Sequence, residues 1–282
     1  MPSASHQDHE WQYNPRKAVP DTERYTAHAA AASEKARAAL EGRYDLRYGP
    51  GPLATLDVFP AGRADAPLHV FLHGGYWRGR DKSDYSFLAR TLVTRGITAV
   101  VMNYDLCPQV TLPDIVGQVR EGLRWVAAHA ADLGGRADAI TASGHSAGAH
   151  LIAAALSRDA GSDRLPETLL KRAVLVSGIY ELEPVLGITV NAEIRLTQDM
   201  VDPMSPMRHP PIAAVPLDIV VGGAETPAWI AQSKSFADIC RRAGSQVIYT
   251  ELAGQNHFSI MTLMEDADSP LARLILDAAT AI

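Results

Sequence analysis

The run Gly144-His145-Ser146-Ala147-Gly148 decides how this chain folds. An apolar stretch of strand character (residues 139–143) precedes it, and a strongly helical stretch (residues 149–156) follows it. A G-x-S-x-G sequence between a strand and a helix is a sharp turn that strains the serine backbone and lifts its hydroxyl clear of the sheet. Small residues flank the serine because the strand and the helix approach closely there. The sequence therefore predicts that Ser146 is a nucleophile.

A second glycine-rich loop, His73-Gly74-Gly75-Tyr76-Trp77, follows an apolar strand predicted at residues 67–72. Loops of this type present backbone N–H groups to the negative oxygen that develops when a serine attacks a carbonyl. We expect the N–H groups of Gly75 and Ala147 to be these donors, with Gly74 allowing the close approach. The two loops together predict an oxyanion hole beside the nucleophile.

A carboxylate and a histidine follow the serine in the chain order of the α/β-hydrolases. Glu225 comes shortly after an apolar strand predicted at residues 217–221, and His257 lies near the C-terminal end of the chain. We expect His257 to accept the Ser146 proton and later to protonate the leaving group. Glu225 would hold the imidazole in the required tautomer.

Three aspartates are alternatives to Glu225 as the acid. Asp218 begins the strand that Glu225 follows, so it is expected at the opposite edge of the sheet. Asp199 and Asp202 lie in an irregular segment rich in proline and methionine. The carboxyl ends of parallel strands meet at one edge, where reactive groups collect, and this favours Glu225.

Strands and helices alternate along most of the chain. This pattern predicts an α/β-hydrolase fold with a mostly parallel central sheet and helices on both faces. We expect an N-terminal extension (residues 1–45) that packs on one hydrolase domain (residues 46–282), and a small lid at about residues 180–210. Within the extension, residues 11–16 are expected to be irregular and residues 21–40 helical. The strands are predicted at residues 44–48, 54–59, 67–72, 97–104, 139–143, 172–177, 217–221 and 246–251.

Composition limits the partners. The 282 residues are 47% apolar and carry a net charge of −6 without a basic cluster, so neither nucleic acid nor an anionic membrane is an expected partner. The polar start of the chain lacks a signal-peptide pattern, and its two cysteines do not suggest a disulfide framework, which predicts a cytoplasmic protein. No metal-ligand cluster or phosphate loop is apparent, so we expect neither metal nor cofactor, but a small-molecule substrate. The composition is compatible with a homodimer.

These motifs resemble those of the kynurenine formamidase, or arylformamidase, group of α/β-hydrolases. The resemblance implies hydrolysis of an N-formyl arylamine, such as N-formylkynurenine, to formate and a free arylamine. One position departs from the group, in which the acid is usually aspartate and here is Glu225. The resemblance rests on residues 73–77, 144–148, 222–227 with Gln232-Ser233, and 256–258. In addition, Asn103-Tyr-Asp-Leu-Cys-Pro108 resembles a segment of the wider esterase group, and Gln12-Tyr-Asn-Pro-Arg16 resembles bacterial members of the set.

Aromatic residues near the motifs are candidates for the substrate pocket. We expect Tyr76, Trp77, Trp229 and Phe258 to line it, with His73 shaping the glycine loop beside them. The same surfaces would suit an aryl or short-chain ester, so a carboxylesterase is the alternative function. A binding module on this fold would usually lack the nucleophile or the base, and a peptidase would usually carry a propeller or a large cap domain. Neither pattern is found in the sequence.

Overall fold

An eight-stranded sheet forms the centre of the computed structural model, which describes residues 6–280. The strands are β1 (Arg43–Arg47), β2 (Thr55–Phe59), β3 (Ala66–Leu72), β4 (Thr98–Met102), β5 (Gly135–His145), β6 (Ala173–Val176), β7 (Leu217–Gly222) and β8 (Val247–Leu252). Their order in the sheet is β1-β2-β4-β3-β5-β6-β7-β8. Strand β2 runs antiparallel to β1 and β4, and the remaining pairs are parallel. This topology confirms the predicted α/β-hydrolase fold.

Helices cover both faces of the sheet. One apolar core includes side chains of α5 (Leu112–Ala128), α6 (Ala147–Ala155) and α9 (Pro227–Arg242), and a second core on the other face includes α4 (Phe87–Thr94) and α11 (Pro270–Thr280). Strands β3, β4, β6 and β7 are almost entirely buried, and so is β5 from Ala139 onward, as expected for strands covered on both faces. The helices are α1 (His6–Tyr13), α2 (Pro15–Ala18), α3 (Thr22–Ala39), α4 (Phe87–Thr94), α5 (Leu112–Ala128), α6 (Ala147–Ala155), α7 (Asn191–Ile194), α8 (Gln198–Met204), α9 (Pro227–Arg242), α10 (Ser259–Thr262) and α11 (Pro270–Thr280).

The N-terminal extension is more regular than the sequence suggested. The expectation of irregular structure at residues 11–16 is wrong, because helix α1 runs to Tyr13 and helix α2 begins at Pro15. The single residue between them is Asn14, whose side chain accepts a hydrogen bond from the Arg16 N–H and so caps α2. Proline at the first helical position needs no hydrogen-bond acceptor, so the chain turns here without losing a bond. We call residues 6–18 the N-terminal strap.

The strap is attached to at least two parts of the domain. The Glu10 carboxylate accepts hydrogen bonds from the N–H and the hydroxyl of Thr189, both at 2.7 Å. The carbonyl oxygen of Gln12 accepts from the Thr226 hydroxyl at 2.7 Å, and its side-chain oxygen accepts from the Ala228 N–H at 3.0 Å. The strap therefore bridges the start of α9 and the segment around Thr189.

Residues 180–210, which we call the lid segment, form short helical turns rather than an extended loop. A 3-10 turn (Glu183–Gly187) precedes α7 and α8. The apolar residues of the segment, such as Val185, Ile194 and Val201, are buried against the main core. The lid segment is therefore packed onto the domain at the sheet edge where β6 ends.

Candidate active site

The turn around Ser146 has the geometry expected of a nucleophile elbow. Ser146 has φ 55° and ψ −117°, a backbone conformation that residues other than glycine rarely adopt. Its N–H donates to the Val176 carbonyl oxygen at 2.8 Å. A Cβ on Gly144 would lie 2.4 Å from the backbone carbon of Gly148, and a Cβ on Gly148 would lie 2.1 Å from the Leu72 carbonyl oxygen. Glycine is therefore required on both sides of the serine for β3, β5 and α6 to meet.

The structure brings the expected base and acid together. His257 Nδ1 donates to Glu225 Oε2 at 2.7 Å, and both side chains are nearly inaccessible, with exposures of 6% and 2%. The other carboxylate oxygen, Oε1, accepts from the Ser177 hydroxyl at 2.5 Å and from the Gly222 N–H at 2.8 Å. These two donors hold Glu225 in place, so its free oxygen fixes which imidazole nitrogen carries the proton.

The three aspartates weighed as alternative acids lie elsewhere. Asp218 is held by Arg172 in a two-pronged ion pair, with nitrogen–oxygen distances of 2.5 and 2.7 Å. Asp199 is exposed, and Asp202 is an exposed partner of Arg208. None of the three has a hydrogen bond to His257 in the described part of the chain.

A second histidine supports the backbone of the base. His145, which precedes Ser146, donates from Nε2 to the carbonyl oxygen of His257 at 2.8 Å, and the two rings lie 4.8 Å apart. Burial, and after it the nearby His257, lower the pKa of His145 well below the ordinary histidine value. A neutral His145 can therefore hold the His257 backbone without placing a positive charge beside the His257 ring.

The loop after β3 is shaped by its unusual backbone. Gly75, Tyr76 and Trp77 all have positive φ angles, of 112°, 51° and 57°. A Cβ on Gly75 would lie 2.2 Å from the Gly79 carbonyl oxygen, so glycine is needed there. Ala147 is the first residue of α6, and an N–H at that position has no acceptor within its own helix. Ala147 directly follows Ser146, Gly75 lines the same cavity as Ser146, and a Cβ on the neighbouring Gly74 would lie 3.1 Å from Ser146 Cβ.

A cavity of about 320 Å³ opens in front of the serine. The strap, the glycine loop, the segment after it, the lid segment and the His257 loop all contribute to its wall. Tyr76 and Phe258 line it, as expected from the sequence, and Tyr85 and Val190 add further apolar surface. The other lining residues are Asn14, Pro15, Arg16, Gly75, Arg78, Gly79, Arg80, Asp84, His145, Ser146 and His257.

Three residues expected at or beside the pocket, His73, Trp77 and Trp229, do not line this cavity. His73 is fully buried, donates from Nε2 to Asn103 Oδ1 at 2.9 Å and stacks on Tyr104. Trp77 is also fully buried and donates to Nδ1 of His150 at 3.2 Å. Both side chains are buried and form internal hydrogen bonds, so they support the glycine loop from the core and do not face the cavity.

Trp229 lies on the other side of the base. Its ring meets that of His257 edge to face at 4.8 Å, and its indole N–H donates to the Ser177 carbonyl oxygen at 2.9 Å. It lines a separate cavity of about 100 Å³ together with Trp11 and Pro15 of the strap. Trp229 therefore limits how far the His257 ring can turn.

Some residues of the site were missed by sequence reasoning. Ser177, which donates to Glu225, directly follows β6 and has φ 50°. Its position after a predicted strand could have marked it as a candidate site residue. Arg78 and Arg80 directly follow the glycine loop and were also readable from the sequence. The contribution of Arg16 had no local signal, because it depends on how the strap folds over the cavity.

Within residues 6–280, no group of three or more histidine, cysteine, aspartate or glutamate side chains is arranged to hold a metal ion. Across the same residues, no helix combines the length and the apolar character needed to span a bilayer.

Comparison with known proteins agrees with the fold and the motifs. Residues 56–173 match the protein family described as BD-FAE. The chain is 32% identical to a kynurenine formamidase of Danio rerio over 275 residues, which cover 94% of this chain and 91% of the relative. It is also 32% identical to a kynurenine formamidase of Drosophila melanogaster, over 79% of this chain and 77% of the relative.

Esterases share the architecture as well. The chain is 29% identical to the esterase LipQ of Mycobacterium tuberculosis, over 76% of this chain and 56% of that protein. A solved structure of a putative thioesterase from Silicibacter superposes with a TM-score of 0.82 at 27% identity, over 94% of this chain and 97% of the other. The protein is thus a hydrolase of the α/β-hydrolase fold. The similarity to kynurenine formamidases extends along nearly the whole chain, so the chain belongs to the kynurenine formamidase family.

Proposed function

We propose that this protein hydrolyses aryl formamides such as N-formylkynurenine, with Ser146, His257 and Glu225 as its catalytic triad. The observation that carries the proposal is that chain-long similarity to kynurenine formamidases coincides with the His257–Glu225 hydrogen bond beside a serine elbow. Family likeness supports the substrate class, and the geometry supports the mechanism.

The first half of the reaction forms a formyl-enzyme. His257 takes the Ser146 proton as the hydroxyl oxygen attacks the formyl carbon, and the carbonyl oxygen becomes an oxyanion held by the N–H groups of Gly75 and Ala147. His257 then gives the proton to the arylamine nitrogen as the carbon–nitrogen bond breaks. Glu225 stabilises the imidazolium between these two proton transfers.

The second half releases formate. Water attacks the formyl ester on Ser146, and His257 accepts one of its protons. The oxyanion forms again and collapses, the bond to Ser146 breaks, and His257 returns a proton to the serine oxygen. The reaction consumes one water and needs no metal or cofactor.

Tyr76 favours a small acyl group. It is buried, follows the oxyanion donor Gly75 and donates from its hydroxyl to the carbonyl oxygen of Tyr13 in the strap. A ring fixed on both sides cannot move aside easily, so it would crowd a long acyl chain beside Ser146. Phe258 and Tyr85 offer flat surfaces on the cavity wall for an aromatic leaving group.

A short-chain carboxylesterase is the second candidate, supported by the similarity to LipQ. The deciding measurement is kcat/KM for N-formylkynurenine against p-nitrophenyl acetate, butyrate and octanoate on one preparation, because this ratio reports transition-state binding. We expect the formamide to be preferred. An inert formamide with rapid short esters would establish the esterase, and a preferred octanoate would contradict the crowded acyl site.

Replacement of the nucleophile tests the mechanism. Ser146→Ala should lower kcat by at least about 10⁴-fold, since the triad acts as a unit. A serine-directed sulfonyl fluoride should label the wild-type peptide that contains Ser146 and leave the variant unlabelled. Near-normal turnover in the variant, or a label on another peptide, would refute the assignment.

A further inference from the structure

Three arginine side chains line the cavity that contains Ser146. Arg16 comes from the strap, and Arg78 and Arg80 follow the glycine loop. Among the lining residues in the described part of the chain, the only carboxylate is that of Asp84. The chain as a whole carries a net charge of −6, so the cavity has the opposite sign to the rest of the protein. Such a local inversion favours a ligand with negative charge.

Arg78 forms an ion pair with a glutamate of the lid segment. Its Nη1 donates to Glu193 Oε2 at 2.7 Å, which pairs most of its charge. Its Nε is buried and has no hydrogen-bond partner within residues 6–280. An unpartnered buried donor is costly, and a ligand that supplies an acceptor there would recover that cost.

The charges of Arg16 and Arg80 are not neutralised in the same way. Arg80 donates from Nη2 to the uncharged hydroxyl of Thr26 at 2.6 Å, and neither arginine forms an ion pair with a carboxylate of the described residues. Arg16 is exposed at the rim of the cavity. Partial desolvation, and then the positive charges of Arg80 and Arg78, lower the pKa of Arg16. The positive charges of Arg16, Arg78 and Arg80 repel one another, and a bound anion would offset that repulsion.

We infer that Arg16 and Arg80 form a carboxylate-binding subsite that selects substrates with a negative group on the portion that leaves. Guanidinium groups match carboxylates in geometry and form strong, charge-assisted hydrogen bonds with them. The inference rests on the proposed function where it concerns an arylamine, and N-formylkynurenine carries a carboxylate on that portion. Arg16 and Arg80 thus determine specificity, while the triad performs the chemistry.

The test is a ratio of kcat/KM for two substrates that differ only in charge: N-formylkynurenine and its carboxamide. The wild type should prefer the acid by about 10- to 100-fold, the range expected for hydrogen bonds to a charged group. Arg16→Gln and Arg80→Gln should each reduce that preference several-fold, and the double variant should nearly abolish it. Arg80→Lys should retain part of it, since the charge remains but the planar fork is lost.

Arg195→Gln is the matched control. Arg195 is an exposed arginine of the lid segment that does not line the cavity, so its replacement removes the same charge from the protein without touching the subsite. We expect the wild-type preference in this variant.

Failure of the inference can be told from failure of the proposed function. The same ratio is measured with 3-(2-acetoxyphenyl)propanoate and its carboxamide, so an enzyme that hydrolyses esters and not formamides still reports on the subsite. Calorimetric binding of kynurenine against kynurenine amide to the full chain gives a readout without turnover. A wild type without preference for the acid, or arginine variants that slow both members of a pair equally, would overturn the subsite.

Discussion

The nucleophile elbow and the N-terminal strap border the same cavity but are held there by different forces. At the elbow, backbone atoms of β3, β5 and α6 approach so closely that an added Cβ on Gly148 would lie 2.1 Å from a carbonyl oxygen. The strap is attached through hydrogen bonds of Glu10, Gln12 and Tyr13 to groups far away in the sequence. Each such bond contributes only about 1 kcal/mol.

This difference separates two tasks of the site. The proposed reaction requires Ser146 to be placed precisely, and close packing of backbone against backbone provides that precision. Selection of a substrate requires a wall of suitable shape and charge, which a separately attached segment can supply. We therefore expect substitutions at the elbow and the triad to affect turnover or folding, and changes in the strap to affect substrate binding.

The largest of these effects is expected on turnover, at Glu225, which we propose as the acid that orients the base. Glu225→Gln should lower kcat by roughly 10⁴-fold, because the amide can present an N–H to His257 and favour the wrong tautomer. Steady-state kinetics with unchanged circular dichroism would show the loss to be catalytic. Asp199→Asn serves as the control, since Asp199 is exposed and lies in the lid segment. A comparable loss in that variant would move the acid to Asp199.

The next effect is on stability at the elbow. Gly148→Ala should lower the free energy of unfolding by about 1–3 kcal/mol or more, because its Cβ meets the backbone of Leu72. Gly117→Ala is the matched control: Gly117 lies within α5, a Cβ there meets nothing within 4 Å, and alanine should stabilise the helix by about 1 kcal/mol. Urea denaturation of both variants measures the difference. If the Gly148→Ala and Gly117→Ala variants unfolded with the same free energy, close backbone packing would not be what holds the elbow in place.

The smallest effect is expected at the strap. Deletion of residues 1–20 should raise KM by roughly tenfold with a smaller change in kcat, because binding contacts are lost while the triad is retained. It should shift the melting temperature less than Gly148→Ala does. Unchanged kinetics in the folded deletion would show that the strap takes no part in substrate binding. A kcat loss as large as that of Glu225→Gln would show that the strap positions the triad.

The parts of the molecule that could be predicted from sequence are those with local signals. Glycine spacing around Ser146 and strand endings before Glu225 and His257 are short-range patterns, and the sheet edge brings them together. The helical strap and the pairing of Glu10 with Thr189 depend on contacts across 179 positions, for which a single sequence holds no pattern. Trp77 and Trp229 were expected to line the pocket because they lie near the motifs in sequence, but proximity in sequence does not determine whether a side chain points into the cavity or into the core.

The glutamate at position 225 also constrains how this protein could diverge. Its side chain folds back to accept from the N–H of Gly222, while its own N–H donates to the Gly222 carbonyl oxygen at 3.1 Å. An aspartate is shorter by one methylene, so we expect it to lose either that N–H or His257 if the turn stays as it is. Gly222 is confined by the Gln255 carbonyl oxygen, which limits how far the turn can shift to compensate. We therefore expect an evolutionary exchange of one acid for the other to need a second change in the turn.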